Sequence, residues 1–461
     1  MPQTVQDWLE ALEEVDDATR EEAAKALADI GDPSALEPLL AALEDDYWAV
    51  RAQIAWALAK IGGDKAVDGL IVLFNDSMME VQSEAVQAMA TLGQVVAPKL
   101  ISCLKDSQWK VREQSAKTLG YIKDPQAVQG LSLACRDRDG AVKSAAAEAI
   151  GKIGDPKGIP PLIKLFKDTS KIVRETAGTA LVHIGAPSVT ALLETLKDPH
   201  FVVRCHGVRA LGGMTTDYQI GRAWVKEPRV VEALVALLKD PDRAVREDAT
   251  IALGNIGDPA AVDSLLETMK DGTVKRHAIA SLGMIGDPRA LPAVLDALKG
   301  KGIHQQGTPT PGCIISEEQL LKEAAATALG HFRHPKVIPD LIFLLKDIVL
   351  RDYAAASLVL IGDHAIEPLV SFLHDPELSK VGKESERVLA FASARMTASS
   401  ALKNAIRDTL DKLGWEPVFE EKSETQKDSD YTDTTNVLGL EGRFGTSGDF
   451  AKPAKDLKIE R

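Results

Sequence analysis

Residues 153–187, IGDPKGIPPLIKLFKDTSKIVRETAGTALVHIGAP, hold one full period of a pattern that runs through most of the chain. The phrase that opens it, Ile153-Gly154-Asp155-Pro156, also stands at residues 30–33, 256–259 and 285–288, with IGAP at 184–187 and IGDH at 361–364. Looser copies at Gly62-Gly63-Asp64, Leu92-Gly93 and Lys123-Asp124-Pro125 fill the gaps. Gly31, Gly62 and Gly93 are thus 31 residues apart, as are Lys123, Gly154 and Gly185. Each residue of the phrase has a physical task. Glycine ends a helix in left-handed backbone at little cost, aspartate caps the next helix, and proline takes its first position, where no N–H is needed. A second proline at Pro38, Pro160, Pro161, Pro292 or Pro368 would clash inside one continuous helix. The phrase therefore predicts a single turn, with the main helix starting near that second proline.

After this first helix, for example Leu39-Leu40-Ala41-Ala42-Leu43, comes an acidic turn marked by Asp45, Asp76, Asp106, Asp137, Asp168, Asp198 or Asp240. Five residues further on, a second helix opens with Val50-Arg51, Val111-Arg112, Val142-Lys143, Val173-Arg174, Val203-Arg204 or Val245-Arg246. With that valine as position one, positions five, eight, nine and twelve are mostly Ala or Ser, Ala, Leu and Ile. This is a helical period with a small-residue face suited to close contact. A two-helix unit of this length cannot bury its apolar face alone and must stack. The expected fold is all-α, an α-α superhelix of about twelve two-helix repeats. They close near Gly31, Gly62, Gly93, Lys123, Gly154, Gly185, Gly213, Gly257, Gly286, Arg333, Gly362 and Gly414. The array takes residues 1–414, with extra chain near 214–228, 300–316 and 376–395. Residues 415–461 are polar and lose the period, and they are read as a disordered tail.

The ankyrin T-P-L-H signature and the tetratricopeptide Trp/Leu-Gly/Tyr pattern are absent. The Asp…Val-Arg spacing with Gly-Asp-Pro turns resembles the short HEAT repeats of the phycobilisome-lyase-like family, over roughly residues 1–414. The resemblance implies that second helices line the concave side and expose positions four, seven and eleven. On this chain the stripe is polar and basic-tinged toward the N-terminal half, then smaller and more apolar. Its candidate partner-binding residues are Trp56, Lys60, Lys117, Tyr121, Lys152, His183, His206, Arg209, His277 and Tyr353; aromatics and arginine are the types that become binding hot spots. The pairs Asp45 with Arg51, Asp106 with Arg112 and Asp240 with Arg246 recur along the array and are expected to build an inter-repeat ladder, worth about 0–1 kcal/mol per exposed pair. The long segment 300–316, GKGIHQQGTPTPGCIIS, is barred from helix by its glycines and prolines. It is expected to contact a partner through Ile303, His304 and Ile314.

Chemistry is sparse. Aromatics are 5% of 461 residues, which argues against a large sandwich or barrel, and a net charge of −14 repels phosphate backbones. Lys60, Lys117, Lys152 and Arg209 are interleaved with Glu84, Glu148 and Asp248, so nucleic acid is not an expected partner. Deoxyhypusine hydroxylase, built from similar repeats, holds two irons with His-Glu pairs at positions three and four of the second helix. The corresponding pairs here include Cys205-His206, Glu247-Asp248 and Arg276-His277, and none is His-Glu, which excludes that activity. His331, His334 and His364 form the densest histidine group but lack cysteine or carboxylate at ligand spacing, so neither metal nor cofactor is expected. Cys103, Cys135, Cys205 and Cys313 are far apart and build no disulfide framework. Without a phosphate loop or nucleophile elbow, no catalytic residue is assigned. There is no apolar leader and no run of eighteen apolar residues, so the expectation is a cytoplasmic chain without a membrane span. The expected function is a non-catalytic scaffold or adaptor that binds a protein or peptide along the concave face. The alternative, a lyase-like or chaperone-type accessory factor for a cofactor-bearing protein, rests on the resemblance alone.

Overall fold

The structure is a computed structural model that describes residues 4–213, 227–300, 316–347, 349–373 and 408–413. Every regular element among the described residues is helical. The helices pair into hairpins whose first members are short and whose second members are long, such as Leu36–Ala41 with Trp48–Ile61, or Val128–Ala134 with Gly140–Ile153. Eleven such pairs are described, from Val5–Ala11 with Asp17–Ile30 through Ile338–Leu344 with Arg351–Ile361; Ile366–Leu373 opens a twelfth. The segments 214–226, 301–315, 374–407 and 414–461, which contain most of the expected insertions and the tail, lie outside the described residues, as do Ile303, His304, Ile314 and Cys313.

The turn phrase builds what its chemistry dictates. Gly31 and Gly154 end their helices at φ 68° and 76°. Asp32 and Asp155 then cap a single 3-10 turn that begins at Pro33 or Pro156, each carboxylate accepting from the amide of Ser34 or Lys157. The first helix proper follows at Leu36 or Ile159, so that Pro38 and Pro160 fall in its opening turn, where proline is tolerated. Two turns lack the glycine: Lys123 and Arg333 hold the left-handed position at φ 57° and 50°.

Second helices pack on the second helices of both neighbours, and they approach very closely. A Cβ built on Gly120 would lie 2.9 Å from the Ala149 Cα; on Gly151, 2.7 Å from the Ala180 Cα; on Gly283, 2.6 Å from the Ala328 Cα. Each contact sets position ten of one helix on position eight of the next. Where position eight is serine, its hydroxyl donates to a carbonyl of the preceding helix: Ser281 to Thr250 and Ser357 to Ala326, both at 2.8 Å. First helices are shorter and touch one another less, as with Ile159–Leu165 and Val189–Thr195. A stack with one layer more closely spaced bends toward that layer, which makes the second helices the inner face. One continuous core runs between the layers, from Leu12 to Leu369, with Phe74 and Phe166 as its largest fully buried side chains.

A ladder crosses the junctions, and its pairing corrects the expectation within each repeat. Arg51 does not pair with the carboxylate of Asp45; its Nη1 donates to the Asp45 carbonyl at 2.6 Å. Its Nε and Nη2 instead grip the Asp76 carboxylate of the following repeat at 2.7 and 2.9 Å. Arg20 grips Asp45, Arg112 grips Asp137, Arg204 grips Asp240, and Lys143 and Arg246 reach Asp168 and Asp271 in the same way. The guanidinium thus reads its own turn by the backbone and the next turn by the side chain. These are half-buried forks, so they outrank the exposed pairs first expected.

Candidate functional site

The stripe proposed for the inner face resolves into two parts. In the N-terminal half its polar residues are spent on one another. The Trp56 indole donates to Glu84 of the next repeat at 2.7 Å. Lys117 pairs with Glu113 at 2.8 Å and Arg209 with Asp248 at 2.9 Å. Lys152 pairs with Glu148 at 2.8 Å, and its ammonium also stands 4.1 Å from the ring centre of Tyr121. Lys60 is exposed and lays its stem over the Gly31 turn. Tyr121 remains 54% exposed, and His183 is exposed at the end of its helix.

His206 is not on the exposed surface. It is 5% exposed, stacks on Phe166 with ring centroids 5.5 Å apart, and its Nε2 accepts from the Arg174 Nε at 3.1 Å. Position four faces the neighbouring helix more than solvent, and Gln114, Ala145 and Asp248 are buried there too. Burial pushes the His206 imidazole down to about 4, helped by the nearby cations of Arg209 and Arg174. His277, also at position four, is half-buried; burial and then Arg276 lower its pKa, and its Nδ1 has no hydrogen-bond partner among the described residues.

Toward the C-terminal half the inner face opens. A groove of about 350 Å³ lies between the helices Lys275–Ile285, Glu317–His331 and Arg351–Ile361. Its floor and walls are Ala280, Met284, Leu320, Ala324 and Tyr353, and Arg276, Glu323 and His331 supply polar groups. Met284, Tyr353 and Leu360 are all exposed, a run of apolar surface unlike anything on the N-terminal stripe. Small residues at positions four and seven, Ala280 and Ala324, leave the space that Met284 and Tyr353 border. Positions four, seven and eleven of the sequence stripe supply Ala280, Met284, Ala324, Thr327, His331 and Tyr353 to this groove, while His277 lies outside its lining; the stripe missed Leu320 and Glu323, which precede position four. The signal was available: a helix that is closely packed only at positions eight and ten also exposes its opening turn.

Among the described residues no group of three His, Cys, Asp or Glu stands together as metal ligands, and the buried thiols of Cys135 and Cys205 are pushed up to about 12 by burial. What the arrangement can do is take up an apolar side chain and orient its flanks by Arg276 and Glu323. No single described helix is long and apolar enough to cross a membrane. The bent pair Lys171–Ile184 with Ala186–Thr195, which is apolar enough together, turns through 118° within the stack.

The sequence matches the HEAT repeats model at residues 5–90, 67–137, 97–182, 159–219 and 189–275, and the PBS lyase HEAT-like repeat model at 274–300 and 321–347. No curated protein matches it. Among solved structures it is similar to the karyopherin Kap121p, at 15% identity and a TM-score of 0.55, over 89% of this chain and 49% of that one. Kap121p bound to the extreme C-terminus of the protein phosphatase Cdc14p gives a TM-score of 0.56 at 15% identity, and Kap121p bound to the SUMO protease Ulp1p gives 0.56 at 16%. In those two the match covers 89% of this chain and 49% and 48% of the other, so this chain spans about half their length. At such identity the likeness speaks to the fold.

Proposed function

The chain belongs to the HEAT-repeat family, and from that premise we propose that it is a non-catalytic scaffold that holds a protein or peptide partner in the groove around Met284 and Tyr353. The observation that carries this reading is the contrast along the inner face. Stripe residues of the N-terminal half satisfy one another, whereas Ala280, Met284, Leu320, Ala324 and Tyr353 keep apolar surface in contact with water. Exposed apolar surface gathered in a concavity with a polar rim is what a partner side chain fills. Solved karyopherins of similar fold are bound to segments of other proteins, which supports a partner of the same kind here.

Photocrosslinking tests the proposal. A benzoylphenylalanine placed at Tyr353 in cells is expected to capture a defined partner, while one at Val72, exposed on a first helix, is not. The purified partner should then bind Met284→Asp at least tenfold more weakly than the parent, a loss of about 1.4 kcal/mol, with helical content unchanged. Equal binding by the two proteins would overturn the reading.

A further inference from the structure

The second helices of repeats two, three and four open with Trp48, Met79 and Trp109, each two residues before the valine. All three stand in solvent, Met79 with 77% of its surface exposed, and Met78 beside it is exposed as well. Tyr47 tilts against Trp48 with ring centroids 6.2 Å apart. Because they hold the same place in successive repeats, the three side chains line one edge of the stack, about 10 Å apart per step. The row stops at Gly140 in repeat five. A hollow of about 420 Å³ lies between Trp48 and Met78, walled further by Leu43, Glu44 and Asp46.

The charge along this edge is mainly acidic, against an exposed Lys105 beside Asp106. Its arginines are engaged in the ladder, Arg51 on Asp76 and Arg112 on Asp137. Lys110 donates to the Asp76 carbonyl at 2.9 Å. The carboxylates of Glu44, Asp46, Glu80 and Asp106 form no ion pair among the described residues. Asp106 is the telling one. It occupies the rung position of its repeat, but Gln82 stands where the preceding repeat would supply arginine, and Gln82 turns instead to the Asp76 carbonyl and to Gln114. A rung without its cation therefore lies between Met79 and Trp109.

We propose that this edge docks a partner protein through an extended segment in which basic and apolar side chains alternate. Its apolar residues cover Trp48, Met79 and Trp109, one cation completes the Asp106 rung, and others meet Glu44 and Asp46. Two repeat steps are about 20 Å, the length of about six extended residues. The surface lies in repeats two to four, well away from the Met284 groove, and does not depend on it.

Fluorescence anisotropy of the full chain with a labelled eight-residue peptide of alternating Arg and Leu tests this, against the same peptide with Glu for Arg. The Arg-Leu peptide is expected to bind, more weakly at 300 mM than at 50 mM salt, and the Glu-Leu peptide is not. The double variant Met79→Ser/Trp109→Ala should weaken binding at least tenfold, and Asp46→Asn/Asp106→Asn at least threefold, both with parental circular dichroism. Phe343→Ser, on the distant helix Ile338–Leu344, should leave this binding unchanged. Failure of the Arg-Leu peptide to bind, or equal binding by Met79→Ser/Trp109→Ala, would overturn the proposal. A monomer–dimer equilibrium in sedimentation that the same variant abolishes would assign the edge to a second copy and overturn it too.

Discussion

Lys123 and Arg333 show how far a single residue can depart from the repeat. Both take the left-handed backbone that Gly31 and Gly154 hold elsewhere, and a side chain there costs on the order of 1 kcal/mol. Lys123→Gly and Arg333→Gly are each expected to raise stability by about 0.5–1 kcal/mol in urea unfolding, with no change in helical content. The opposite substitution is harsher at position ten. Gly151→Ala puts a methyl 2.7 Å from the Ala180 Cα, and overpacking of this kind costs about 1–3 kcal/mol. Gly140→Ala meets nothing within 4 Å and is expected to be neutral or mildly stabilising. The sequence announced position eight as small. It announced position ten equally, through Gly120, Gly151, Gly254, Gly283 and Gly330, but glycine inside a helix reads as weak propensity until the neighbouring backbone is seen against it.

Between elements, one deleted residue explains the two irregular rungs among the first eight junctions. From Arg20, Arg51, Arg112, Lys143 and Arg246 the paired aspartate stands 25 residues on. From Gln82 to Asp106 and from Arg174 to Asp198 the count is 24. The missing residue is the turn aspartate: Gln94 follows Gly93 and Ala186-Pro187 follows Gly185, and those turns have no side-chain cap. The acidic turn then arrives early and the fork is not made. Gln82 finds Gln114, Arg174 finds His206, and Asp198 takes Lys167 at 2.9 Å. This much of the ladder was legible as a count. The substitution of position four as the partner, Gln114 donating to Gln82 and His206 accepting from Arg174, was not, because both look like surface polar residues until the next helix covers them. Asp137→Ala is expected to destabilise by about 2–4 kcal/mol, since it strands the buried Arg112. Asp106→Ala, with no cation to strand, should cost about 1 kcal/mol for the lost cap on the Gln108 amide. Urea unfolding of the two variants compares them.

On the scale of the whole molecule these junctions set the response to acid. His206 is buried uncharged, pushed down to about 4 from an ordinary 6.5. Between those values the unfolded chain binds a proton that the folded chain refuses, so stability is full above pH 6.5 and falls as pH drops toward 4. The loss is about 2 kcal/mol once solvent screening is allowed for. His206→Gln keeps an acceptor for Arg174 and should flatten this limb, read as hydrogen exchange of the helices Lys171–Ile184 and Phe201–Leu211 at pH 7 and pH 5. The ladder aspartates respond later. Burial raises the Asp76 and Asp137 carboxyls, but the guanidinium forks and backbone amides outweigh it and hold them below their ordinary value. Their contribution is complete above about pH 4 and is lost below it. The same two seams also give the rod a mechanical grain. A chain pulled from its ends carries equal tension through every junction, so it yields first where the fork is missing: between repeats three and four, between six and seven, and beyond nine, where Lys322 takes Glu318 and not Asp347. Extension of the first nine repeats should therefore proceed in blocks of three, as a spring of unequal coils, and not by the even, one-repeat peeling that a perfect period would give.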